Sequence, residues 1–143
     1  MDYEPTVVPA IMFSDTIIRE QGTGKLTLIG CFHKLNADRF PFVAPPFYAT
    51  VVFANFHGKL EKVNACLRIE HTETGHVVAS MAAAFGTNSE IQKSDSFELP
   101  FPVPPSIFPA VGMYKAVVLV DNEKIGERDL TVQSITTSTP QPT

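Results

Sequence analysis

The residues best able to do chemistry here are four histidines, His33, His57, His71 and His76, and two cysteines, Cys31 and Cys66. A zinc site draws on Cys and His, usually through close-spaced pairs such as C-x-x-C or H-E-x-x-H. Cys31 and His33 lie two apart, which on a strand puts them on one face, and His57 closes a neighbouring strand. No close-spaced pair of the required kind occurs, so no metal or other cofactor is expected. The acids Asp121, Glu123, Glu127 and Asp129 are interleaved with Lys124 and Arg128. Calcium needs oxygens that converge, whereas alternating charge describes a solvated hairpin face. General acid–base work needs carboxylates that meet in a pocket, and nothing in the spacing of Asp15, Asp38 and Asp95 brings them opposite one another. Nucleophile motifs are missing as well: there is no G-x-S-x-G and no S-x-x-K, and "GTGK" at 22–25 is too short for a phosphate loop and lies between strands. No catalytic residue is assigned.

Two cysteines cannot make a disulfide framework, and no N-x-S/T sequon occurs. Both absences fit a reducing cytoplasm. The formal charge of −4 is modest, and the eleven basic residues are scattered singly or in pairs. Without a contiguous basic track there is little to replace counterions on a phosphate backbone, so nucleic acid is not expected as a partner. The N-terminal "MDYEPTVVPAIMF" carries no basic start, and no apolar run approaches the ~20 residues of a membrane span. No membrane association is expected, and cytoplasmic localisation is.

The elements that must hold these residues read as strands. With 143 residues, 44% hydrophobic and 18% charged, the chain suits one domain with its own core. We place that domain at 1–134, followed by a disordered tail, "ITTSTPQPT", at 135–143. Period-two alternation dominates and helical stripes are nearly absent. In "KVNACLRIEHT", Val63, Ala65, Leu67, Ile69 and His71 share one face, and Cys66 lies on the other, more polar one. "SDTIIRE" and "KLTLIGCFHKL" flank residues 21–24, where Gly22 and Gly24 permit a hairpin turn. The second of these strands is apolar on both faces, a pattern that predicts a place in the middle of a sheet. "HVVASMAAAFG" is read as a strand, although its alanines would suit a short helix equally well. "PVPPSIFPAVG" reads as a stiff, irregular crossover.

The segment 112–132, "GMYKAVVLVDNEKIGERDLTV", reads as two strands joined at Asp121-Asn122, residues that tolerate the left-handed region. Its apolar positions shift from odd to even between Ile125 and Leu130, which predicts a β-bulge at or near Gly126. Seven or eight short strands with one proline-rich crossover predict an all-β fold, an antiparallel two-sheet sandwich of immunoglobulin type, with a small barrel as the second reading.

Three stretches carry a resemblance: "DTIIREQGTGKLTLIGCF" (15–32), "FPFVAPPFY" (40–48) and "FPAVGMYKAVVLVDNEKIGERDLTV" (108–132). Together they resemble a family of uncharacterised bacterial single-domain β-sandwich proteins of unknown function. That resemblance implies the fold and no activity.

The feature most in excess of structural need is proline beside phenylalanine, in "RFPFVAPPFY" and "FELPFPVPPSIFP". Phe40, Phe42, Phe47, Tyr48, Phe101 and Phe108 form either an exposed, preorganised interaction patch or a plug over the core. The function expected is a non-enzymatic protein-interaction or structural module, with a protein partner or a homo-oligomer. The alternative is a binder of a sugar, metabolite or divalent ion, or a hydrolase, with a loop-end pocket.

Overall fold

The computed structural model describes residues 7–54, 58–59, 62–85, 90–91 and 96–135. His57, Asp95 and residues 136–143 of the expected tail lie outside the described residues. Among those described there is no helix and there are thirteen strands. In chain order they are β1 (Val7–Arg19), β2 (Leu26–Phe32), β3 (Lys34–Ala37), β4 (Phe42–Ala44), β5 (Phe47–Ala54), β6 (Gly58–Lys59), β7 (Val63–His71), β8 (Val77–Phe85), β9 (Glu90–Ile91), β10 (Phe97–Val103), β11 (Ser106–Phe108), β12 (Gly112–Val120) and β13 (Glu123–Ser134).

The strands form a four-stranded sheet in the order β10-β5-β1-β2, a five-stranded sheet in the order β3-β13-β12-β7-β8, and two ribbons, β4–β11 and β6–β9. The fold is therefore all-β, with more strands than the seven or eight expected. The two larger sheets supply one continuous core: Ile11, Phe13, Val51, Phe53 and Phe101 from the first, and Val63, Leu67, Ile69, Tyr114, Leu130 and Val132 from the second.

Local sequence explains the regular parts. The β1–β2 hairpin closes through Glu20 N–H to Lys25 O at 2.7 Å and Gly24 N–H to Glu20 O at 2.9 Å, with Gly22 and Gly24 both at positive φ. On β7 the five odd residues from Val63 to His71 are buried, as the alternation requires. The Ala-rich segment is β8, paired with β7 along its length. Asp121 (φ 49°) and Asn122 (φ 69°) make the two-residue turn between β12 and β13. The register there shifts between Val118↔Gly126 and Leu119↔Lys124, so Ile125 is the extra residue of the bulge. The bulge turns Ile125 toward the core while Leu130 and Val132 stay fully buried.

Two expectations are corrected. Segment 25–35 is not one central strand: β2 lies at the edge of the four-stranded sheet, and after His33 the chain enters the other sheet as β3. Because β3 arrives directly from the opposite sheet it runs parallel to β13, the exception in an otherwise antiparallel set. Second, the proline-rich crossover is not wholly irregular, since Ser106, Ile107 and Phe108 form β11 against β4.

The departure of β2 leaves β1 running on without it. The β1–β2 ladder stops at Phe13↔Phe32, so Ile11 has no partner on that side. Arg128 of β13 reaches across from the other sheet and donates to Ile11 O, with its guanidinium 5.4 Å from the centre of the Phe13 ring. A bulge-shifted basic residue thus satisfies a carbonyl that the sheet leaves open.

Candidate proline-rich site

Structure places the six aromatic residues at different depths. Phe47, Phe101 and Phe108 are buried in the core, and Phe40 and Phe42 pack half-buried against it. Tyr48 alternates to the other side of β5 from Phe47 and is also half-buried. Phe42 and Phe108 meet across the β4–β11 ribbon with ring centres 6.4 Å apart, and Phe108 stands edge-on to Tyr114 at 5.0 Å. Phe47 contacts Phe13 and Phe32 edge-on at 6.2 and 5.4 Å. These geometries are the ones aromatic quadrupoles favour.

Alternation along the ribbon sends the neighbouring residues outward. Val43 and Ile107 pair directly across it and are 60% and 56% exposed, while Ala44, Ser106 and Phe108 on either side are buried. The proline-rich end therefore presents an aliphatic pair backed by aromatic rings. The sequence signal for this was available in the short alternations "FVA" and "SIF", which the flanking prolines obscured.

Behind the ribbon, where β2 leaves its sheet, lies a cleft of about 430 Å³ lined by Asp15, Cys31, Lys34, Asn36, Phe42 and Phe47 among others. Its shape depends on Gly30. At φ 70° the backbone occupies a region that favours glycine, and a Cβ there would sit 2.3 Å from Asp15 Oδ2. Asp15 can thus lie over the strand at the cleft wall. A second hollow of about 340 Å³, lined by Asp38, Arg39, Pro41, Phe42 and Val43, adjoins the ribbon.

The start of β12 is fixed by Tyr114. Its hydroxyl donates to Ala110 O at 2.6 Å and accepts from Ala110 N–H at 3.3 Å. Burial pushes its phenol above the ordinary value, and the Ala110 bond partly opposes that shift. Beside it, buried His71 accepts at Nδ1 from Thr74 N–H at 3.2 Å, which pins the β7–β8 turn. Both are accounted for structurally.

The C-terminal acids do not converge. Lys124 bonds Glu127 at 2.8 Å and, with Lys115, holds its exposed carboxyl below the ordinary value. Lys115 also reaches Glu70, which pairs with Arg68 at 2.9 Å, so a lattice of charge spans three strands of the outer sheet face. These long side chains cover Val117, an outward valine that is only 2% exposed. Among the described residues no three of His, Cys, Asp and Glu gather at one point.

Residues 9–133 match DUF6941, a family of unknown function, and the chain belongs to that family. No curated protein matches it. Among solved structures it is similar to the Pseudomonas fluorescens alkylpurine DNA glycosylase AlkC bound to DNA containing an abasic site analog, at 11% identity and a TM-score of 0.47. The likeness covers 90% of this chain and 30% of that one, and at this level it transfers no function. The expectation that nucleic acid is not a partner rested on the scatter of basic residues along the sequence, and that scatter does not fix how they cluster in space. That exclusion is withdrawn. Among the described residues no helix is long and apolar enough to cross a membrane.

Proposed function

We propose that the chain is a non-enzymatic protein-interaction module, one immunoglobulin-like sandwich domain over residues 1–134, that meets its partner at the proline-rich end. The observation that carries this reading is the outward pair Val43 and Ile107, held by a two-stranded ribbon whose inner residues are committed to the core. Prolines on both sides limit the ordering cost of binding. Phe40, Phe42, Phe47, Tyr48, Phe101 and Phe108 serve as the supporting layer of the site. The sandwich reading is supported by Tyr114, whose bond to the backbone four residues upstream has the form of the tyrosine corner in such domains. The free thiols Cys31 and Cys66 suit the cytoplasm.

The test is capture of the native partner by the wild-type chain and by a Val43→Lys/Ile107→Asp variant, whose opposite charges face each other across the ribbon. Both positions are exposed, so stability should stay within about 0.5 kcal/mol per site. Loss of a stoichiometric partner from the folded variant supports the reading, and retention contradicts it. A second reading, a small-ligand binder, is favoured by the cleft volume, which falls in the range of about 300–1,000 Å³ typical of ligand pockets. A thermal-shift panel of sugars, metabolites and divalent ions tests it: a ligand at ~100 times its Kd adds about 2.7 kcal/mol.

A further inference from the structure

β2 has the composition of an interior strand and the position of an edge. In "LTLIGCF" apolar residues occupy both faces, yet the strand pairs only with β1, and no further backbone hydrogen bond reaches it among the described residues. Ile29 is left 41% exposed. An edge strand of this kind offers a row of free N–H and C=O groups, and natural proteins usually blunt such edges. The other free edges here are blunted. On β10, Pro100 and Pro102 sit in the edge strand, where proline is accommodated with its nitrogen toward solvent, so that edge lacks two donors. β8 lies against β10 and β11, and β3 is only four residues long. β2 has no proline and, among the described residues, no further strand pairs with it.

We infer that the edge of β2 accepts an extended strand from another protein, apolar at its centre and acidic at its ends. The centre is set by the cleft, which opens at Gly30, Cys31 and Phe32 and offers Phe42, Phe47, Pro45 and Pro46 to a side chain. The ends are set by charge. Lys25 precedes β2 and Lys34 follows it, and neither has an ion-pair partner among the described residues. Asp15 and Lys34 both line the cleft, so a side chain that enters it is best uncharged. A second copy of this chain is a poor occupant. Centred antiparallel on Ile29, two copies would bring Lys25 of each within one residue of Lys34 of the other, at both ends of the ladder, and like charges there are destabilising. Main-chain bonds supply affinity and alternate side chains supply specificity in such strand addition. This surface shares Phe42 and Phe47 with the proline-rich end but not the outward pair Val43 and Ile107, and it does not rest on the reading given to that pair.

The experiment is a fluorescence-anisotropy titration of the full chain with a nine-residue peptide of alternating valine and threonine, with phenylalanine at the centre and aspartate at each end. Saturable binding is expected. It should weaken at least tenfold when lysines replace the terminal aspartates or in a Lys25→Glu/Lys34→Glu variant, and it should vanish when alternate backbone amides are N-methylated. Both lysines are exposed, so the variant should fold, which circular dichroism verifies. Absence of binding overturns the inference. So does binding that survives N-methylation, or equal competition by a nine-nucleotide oligothymidylate, which would make the surface a general polyanion site.

Discussion

The two edges of the four-stranded sheet are built differently. β10 is anchored by Phe101, which is 1% exposed, and its free side is interrupted by Pro100 and Pro102. β2 is anchored by the half-buried Phe32, bends at Gly30, and has no proline on its free side beside a cleft. Where a sheet must end in water, proline and short strands end it; where a strand apolar on both faces ends it, another chain is the natural completion. The ion-paired lattice over the five-stranded sheet is a third solution, in which long charged side chains close the face around Val117.

The difference in anchoring predicts the largest effects. Phe101→Ala should cost about 3–5 kcal/mol, since it empties a fully enclosed core site. Phe32→Ala, half-buried at the other edge, should cost about half as much; equal losses in urea unfolding would break the comparison. Next comes the gap where β1 outruns β2. Arg128→Met keeps the packing stem and removes the donor to Ile11 O, so about 1–3 kcal/mol should be lost. A change below the error of the measurement would show that the carbonyl is solvated instead. Gly30→Ala should cost about 1–2 kcal/mol from the left-handed backbone, and more where the new Cβ meets Asp15, whose own Cβ lies 3.1 Å from it. Between the two edges, Thr50 is buried with no partner for Oγ1 among the described residues. Thr50→Val should therefore be neutral or stabilising by up to about 1 kcal/mol, and a clear loss would reveal a partner for the hydroxyl.

Much of the fold was legible because local rules and tertiary packing agree. The alternation of β7, the paired glycines of the β1–β2 turn, and the odd-to-even shift around Ile125 each name a physical requirement that the backbone meets. The edge position of β2 was not legible. Apolar residues on both faces mean burial in most sheets, and the sequence carries no mark of a covering strand supplied from elsewhere. The role of Arg128 was hidden for a related reason: its neighbours Glu127 and Asp129 suggested a surface charge pattern, while the bulge turns it across to β1. At the proline-rich end, sequence alone does not separate the rings packed inside from Val43 and Ile107 facing out.

The most direct test of the contrast between the two edges is residue-resolved amide exchange along Leu26–Phe32 and Phe97–Val103, with and without the acid-ended peptide. Slowed exchange on alternate amides of β2, with β10 unchanged, is the result predicted for a strand added at the open edge. Protection on β10, or no change on either strand, would contradict it.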